Sequence, residues 1–266
     1  MKKGFAGKIF LFIVLFLMYL PIVLIAVYSF TDATNIGASG KFSFDNYYTL
    51  FTTEELAGMI WGTLALAIGS ALLSTFFGTL GAIGVHYSKQ RTAQTMEAVN
   101  QIPVINADVV TGFSLCILLV VVLGIDKDSF IPLVIGHTVL SAPFVYLAVR
   151  PKLAQMDPAL YEAALDLGAS PSYALMHVVL PQIFPGVISG FAMAVTLSLD
   201  DYFVATYTKP ATFDTISTYV VNATRGSQTS IKTALWALST VIFLVVMVIA
   251  FASNSGGKEE MGSEKV

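Results

Sequence analysis

Three acidic side chains stand within long apolar runs: Asp108 and the adjacent pair Asp200-Asp201. A carboxylate at the centre of a membrane-spanning helix costs about 2.5–3.5 kcal/mol on insertion scales, so each needs a partner or water. No Lys or Arg lies at matching depth to neutralise them. An unpaired acidic set suits a cation pathway, in which carboxylates and aromatic faces hold ammonium groups. In a continuous helix neighbouring residues diverge by about 100°, so Asp200 and Asp201 serve different faces. Ser189, Thr196, Asp200 and Tyr207 then form one stripe, while Asp201 falls with Ala194, Leu197, Ser198 and Ala205. Asp200 is expected to face the pathway and Asp201 to bond to a neighbouring helix or subunit. Asp108, Tyr202, Tyr207 and Thr196 complete the candidate pathway set. The plainer alternative makes the acids structural, with one or more protonated; Asn106 near Asp108 suggests a local polar break after Pro103.

Other chemistry finds less support. The histidines His86, His137 and His177 form no His-x3-His pair, and Cys116 is the single cysteine. Neither a cysteine-rich metal site nor a disulfide framework follows. His137, alone in its apolar run, is expected to hydrogen-bond between helices. An aspartyl dyad needs two carboxylates about 3 Å apart sharing a proton, which adjacent residues pointing apart do not supply. A G-x-x-x-x-G-K-[ST] phosphate loop is absent: Lys8, Lys41 and Lys258 follow glycine, but Ile9, Phe42 and Glu259 come next. A net charge of −3 disfavours nucleic-acid binding.

The elements that must position these residues follow from composition. Of 266 residues, 56% are apolar and 12% charged, with a mean hydropathy of +0.76; soluble domains carry about 25% charged residues. Spans of about 20 apolar residues are needed to cross a bilayer. Six segments qualify: 9–30, 60–87, 98–124, 129–150, 183–208 and 233–252. They are apolar on both faces, which excludes a β-barrel pattern and predicts an all-α, polytopic six-helix bundle. The first apolar run is too long for a signal-peptide core of roughly 7–15 residues and reads as an uncleaved span. Basic residues near the span ends number nine on the side of the N-terminus and five on the other, which predicts cytoplasmic termini. Residues 1–252 read as one membrane domain, and 253–266 as a disordered tail. Outer loop 31–59 combines acids with Phe42, Phe44, Tyr47, Tyr48 and Phe51, expected to form an amphipathic segment at the outer surface.

The stretch 151–182 between the fourth and fifth spans reads as two short helices. Asp157-Pro158 opens the first and Gly168 stops it; Ser170-Pro171 opens the second, which is expected to end at Pro181. Ala159, Ala163, Ala164 and Leu167 leave a small apolar surface that wants a partner; an amphipathic helix on the membrane or against its own spans is the alternative.

This stretch carries a resemblance. Glu162-Ala163-Ala164-x3-Gly168-x9-Val178-x-Leu180-Pro181 matches the EAA loop of ABC importer permeases, with Val where Ile is usual. Leu197-Ser198-Leu199-Asp200-Asp201 and Ala107-Asp108-Val109-Val110 further resemble permeases of the spermidine/putrescine type, PotC-like subunits. The resemblance covers nearly the whole chain and implies a type I, MetI-like permease of the bacterial inner membrane. It implies a second homologous permease, an extracytoplasmic binding protein and a separate ATPase dimer bound through Glu162, Ala163, Ala164, Gly168, Leu180 and Pro181. No cofactor is expected on this chain, with ATP and magnesium on the ATPase, and the implied substrate is a small cation. The loop Arg225–Lys232 departs from the Pro-Glu pair and Asn common in that type. Permeases for other cations, opines or phosphonates share such loops, and a non-transporting scaffold is a remoter reading.

Overall fold

A computed structural model describes residues 3–33, 37–225 and 233–248. Among them the regular structure is helical, apart from one isolated antiparallel bridge between Thr31 and Phe42. The loop 226–232, the tail 253–266 and the end of the sixth expected span lie outside the described residues. In order, the helices are α1 (Lys3–Ser29), α2 (Asp45–Thr52), α3 (Glu54–His86), α4 (Gln90–Ile105), α5 (Asp108–Cys116), α6 (Ile131–Gln155), α7 (Ala159–Asp166), α8 (Pro171–Ala174), α9 (Leu180–Asp200), α10 (Phe203–Thr208), α11 (Ile216–Arg225) and α12 (Thr233–Val248). Wider π-type turns extend α5 through Ile117–Val122 and join α8 to α9 through Leu175–Val179.

Among the described residues, four helices are long and apolar enough to cross a membrane: Gly7–Ser29, Leu56–His86, Ile131–Gln155 and Pro171–Asp200. α12 covers the described part of the sixth expected span. The third expected span, 98–124, is not one straight helix. Its two parts, α4 and α5 with its extension, meet at 105°. The break lies at Asn106 and Ala107, both extended, with ψ of 148° and 136°. Pro103 has no backbone N–H to give the preceding turn, and the Asn106 amide donates forward to Thr111 Oγ1 at 3.1 Å. That bond belongs to the start of α5, so Asn106 supports a new helix rather than continuing the old one.

The chain divides into two compact units. One comprises residues 1–58 and 219–247. In it Asn46 is buried and its amide donates to the carbonyls of Ser29 and Thr31 at 3.1 and 2.9 Å. Those bonds take up carbonyls left free where α1 ends. Phe30, Phe42, Phe44 and Tyr47 pack ring on ring around this corner, and Tyr28 meets Trp236 edge-on at 5.8 Å.

The other unit comprises residues 59–218. Its core joins Ala67, Ala71 and Ala82 of α3 to Val145, Val149 and Leu153 of α6 and to Ile183, Ala194 and Leu199 of α9. Lipid tails are as apolar as these side chains, so close packing rather than water exclusion holds such helices together. Val145 sits in two notches: a Cβ at Gly78 would lie 2.7 Å from its Cβ, and one at Gly190 would lie 3.0 Å from its Cγ1. Serines add polar ties: Ser74 Oγ donates to the Thr138 carbonyl at 3.1 Å. α4 buries no side chain and is fastened to α6 by an ion pair, Arg150 to Glu97, at 2.7 Å.

Candidate functional site

The fifth span ends earlier than its apolar run implies. α9 stops at Asp200, and Asp201 is extended, with φ −67° and ψ 123°. The stripe from Ser189 to Tyr207 is therefore broken, as is the shared face of Asp201 and Ala205. The reason is local. Asp201 Oδ1 accepts from the Val204 N–H at 3.2 Å and Oδ2 from the Ala205 N–H at 2.7 Å. These are free N–H groups of the first turn of α10, and a carboxylate there also meets the positive end of the helix dipole. The acid that an unbroken helix would bury without partners instead starts a new helix.

Around this break lies an open cavity of about 270 Å³, lined by Asp108, Leu140, Phe144, Leu197, Asp200, Asp201, Tyr202 and Phe203. Asp108, in the first turn of α5, and Asp200, the last residue of α9, are exposed; Asp201 is buried. Among the described residues, no basic side chain lines the cavity. Three carboxylates and three aromatic rings in one hollow can take the ammonium groups of a cation, and they disfavour an anion.

Tyr207 and Thr196 are not among the lining residues. Tyr207 packs on Phe113 of α5 with ring centres 5.7 Å apart, and the Thr196 hydroxyl donates to the Ala192 carbonyl of its own helix at 3.0 Å. Leu140, Phe144, Leu197 and Phe203 join the site from outside the candidate pathway set, Phe144 and Phe203 being aromatics whose types alone suggest packing. Leu140 and Phe144 carried a usable signal, since they follow His137 at spacings of three and seven on one face of α6. His137 itself bridges helices: Nδ1 lies 2.7 Å from Ser198 Oγ, and Nε2 lies 3.5 Å from Asp201 Oδ2.

The stretch 151–182 has a different geometry. α6 runs on to Gln155, and Asp157 Oδ1 accepts from the Ala159 N–H at 2.9 Å to open α7. Glu162 and Ala163 are exposed, Ala164 is half-buried and Leu167 is 90% exposed. Gly168 has φ +88°, its N–H donates to the Leu165 carbonyl, and the Ala169 N–H donates to the Ala164 carbonyl. That pair of bonds closes α7 in a Schellman motif, for which a left-handed glycine is the least strained residue. Tyr161 packs against the core and meets Tyr87 at 4.9 Å. Ser170 Oγ accepts from the Tyr173 N–H at 3.3 Å to open the next helix.

Pro181 does not end that helix. The Leu180 N–H reaches back five residues to the Leu175 carbonyl, so the last bond before Pro181 belongs to a π-turn. Pro181 then stands in the first turn of α9, where a missing N–H does least harm. Helix 171–200 is consequently continuous, with the partly buried Leu180 inside it and Asp200 at its C-terminal end.

Residues 97–255 match the family described as "Binding-protein-dependent transport system inner membrane component". The chain belongs to this family. The matched segment contains the cavity acids and the whole stretch 151–182. Among relatives of this inner membrane component, the spermidine/putrescine transport system permease protein PotC of Haemophilus influenzae is 29% identical over 251 residues, 94% of this chain and 96% of that protein. The putrescine transport system permease protein PotI of Escherichia coli K12 is 26% identical over 239 residues, 88% of this chain and 84% of that protein. In fold, the chain resembles a solved bacterial alginate ABC transporter in complex with an alginate pentasaccharide-bound periplasmic protein. The TM-score is 0.70 at 20% identity, covering 94% of this chain and 92% of that one. The fold is thus the all-α one of ABC importer permeases, and the protein is a multi-pass component of an inner-membrane transport system.

Proposed function

We propose that this chain is one permease half of an ATP-driven importer of small organic cations, of the polyamine class that its relatives' names carry. The observation that carries the reading is the cavity in which Asp108, Asp200 and Asp201 meet Phe144, Tyr202 and Phe203 without a basic side chain. A polyamine presents several ammonium groups along an apolar chain, and this lining offers both carboxylates and ring faces. Uphill transport needs an energy source, and the exposed face of α7 suits docking to a separate ATPase that holds ATP and magnesium. A second, homologous permease completes the pathway, and an extracytoplasmic binding protein delivers the substrate. Both termini, and α7 with them, lie in the cytoplasm. ATP binding then draws the α7 helices of the two permeases together and rocks the spans around the fixed site, as alternating access requires.

The test is uptake of spermidine and putrescine by the complete reconstituted transporter carrying D200N. The expected outcome is a loss of about tenfold or more in uptake at subsaturating substrate, the effect of removing one charge-assisted contact. Unchanged substrate-dependent uptake would remove Asp200 from the pathway and this reading with it.

A further inference from the structure

His137 is fully buried, and each of its ring nitrogens faces a polar group from another part of the chain. Nδ1 lies 2.7 Å from Ser198 Oγ on α9, and Ser198 Oγ lies 3.2 Å from Ser70 Oγ on α3. Both serines are almost completely buried. Nε2 is buried without a hydrogen bond among the described residues, and the Asp201 carboxylate faces it, with Oδ2 3.5 Å away. A Ser198 hydroxyl that donates to Nδ1 leaves the imidazole proton on Nε2, on the side of the carboxylate. The row Ser70–Ser198–His137–Asp201 therefore ties α3, α6 and α9 to the first turn of α10.

The place where this row ends gives it a consequence. Asp201 spends both oxygens on the N–H groups of Val204 and Ala205, which fixes where α10 begins. Asp200 and Tyr202 flank Asp201, and both line the acidic cavity. Their directions depend on how the extended link at Asp201 is held. Leu140 and Phe144, on the His137 face of α6, line the same cavity. The geometry points to His137 as the positioning residue of this cavity: through Ser198 and Asp201 it holds the α9–α10 break in the setting that aims Asp200 and Tyr202 at the cation. This assignment rests on the reading of the cavity as the cation pathway.

Spermidine uptake by the complete transporter in proteoliposomes, measured as half-saturation and maximal rate, tests it with H137L, H137Q, S198A and D200N side by side. H137L is expected to raise half-saturation about tenfold, through loss of the hydrogen bond to Ser198 and of the polar contact with the Asp201 carboxylate. H137Q, whose amide can still donate to the carboxylate, recovers most of that loss, and S198A gives a smaller rise. A role confined to folding lowers the amount of assembled complex and leaves the half-saturation of the remainder unchanged; that result overturns the assignment. If H137L does not assemble, H137Q and S198A decide: wild-type half-saturation in both overturns it. D200N separates the two levels. Impaired D200N beside wild-type-like His137 variants removes only the positioning role, whereas wild-type behaviour in all of them removes the cavity reading as well. A rise in H137L with D200N unaltered also overturns it, because His137 is then not acting through Asp200.

Discussion

The two carboxylates at the end of α9 have different surroundings. Asp200 is exposed to the cavity, while Asp201 is buried and holds two backbone N–H groups of α10. D201A removes a helix cap and is expected to cost about 0.5–2 kcal/mol, seen as a lower Tm of the assembled complex. D200N is expected to leave that Tm within error while lowering uptake; equal Tm losses in the two variants would contradict the division. The residue types were visible in the sequence as acids without basic partners. Asp201's task was not, because the apolar run 183–208 hides the stop at Asp200. A carboxylate three and four residues before Val204 and Ala205 reads as easily as one face of a continuing helix. Nor does any local pattern bring His137, 61 positions away, to Ser198.

Helix ends written by local chemistry were readable: Asp157, Ser170 and Gly168 each act within four residues of their own position, so their signals sit side by side in the chain. Breaks made by competition between turn types were not. Pro181 looks like a terminator only while the preceding turn is an α-turn, and the 105° bend between α4 and α5 depends on Asn106 bonding forward to Thr111. The position of α5, and of Asp108 with it, depends on close approach to α10. A Cβ at Gly112 would lie 2.9 Å from Val204 Cα, which is backbone and cannot swing aside. G112A is therefore expected to cost about 1–3 kcal/mol through forced separation. Uptake should fall together with the Tm of the complex. A G112A transporter with wild-type Tm and uptake would show that α5 and α10 do not need this contact.

On the scale of the whole molecule, the fold class was legible because hydropathy alone demands spans, whereas their orientation rests on the spread of Lys and Arg. Cysteine replacement checks it directly. In a C116S background, K41C is expected to react with a membrane-impermeant maleimide on intact spheroplasts, and L167C only after permeabilisation; the reverse pattern would invert the topology. The 90% exposure of Leu167 makes it a suitable reporter. The cavity reading assigns organic cations to the acidic, aromatic hollow of this inner membrane component. Its most direct measurement is ATP hydrolysis by the complete transporter with its binding protein, in proteoliposomes, against a panel of spermidine, putrescine, a neutral sugar and an organic phosphonate. Stimulation by the two polyamines, absent with the sugar and the phosphonate and weakened by D200N, is the predicted result. Stimulation by the sugar or the phosphonate with none by the polyamines would contradict it.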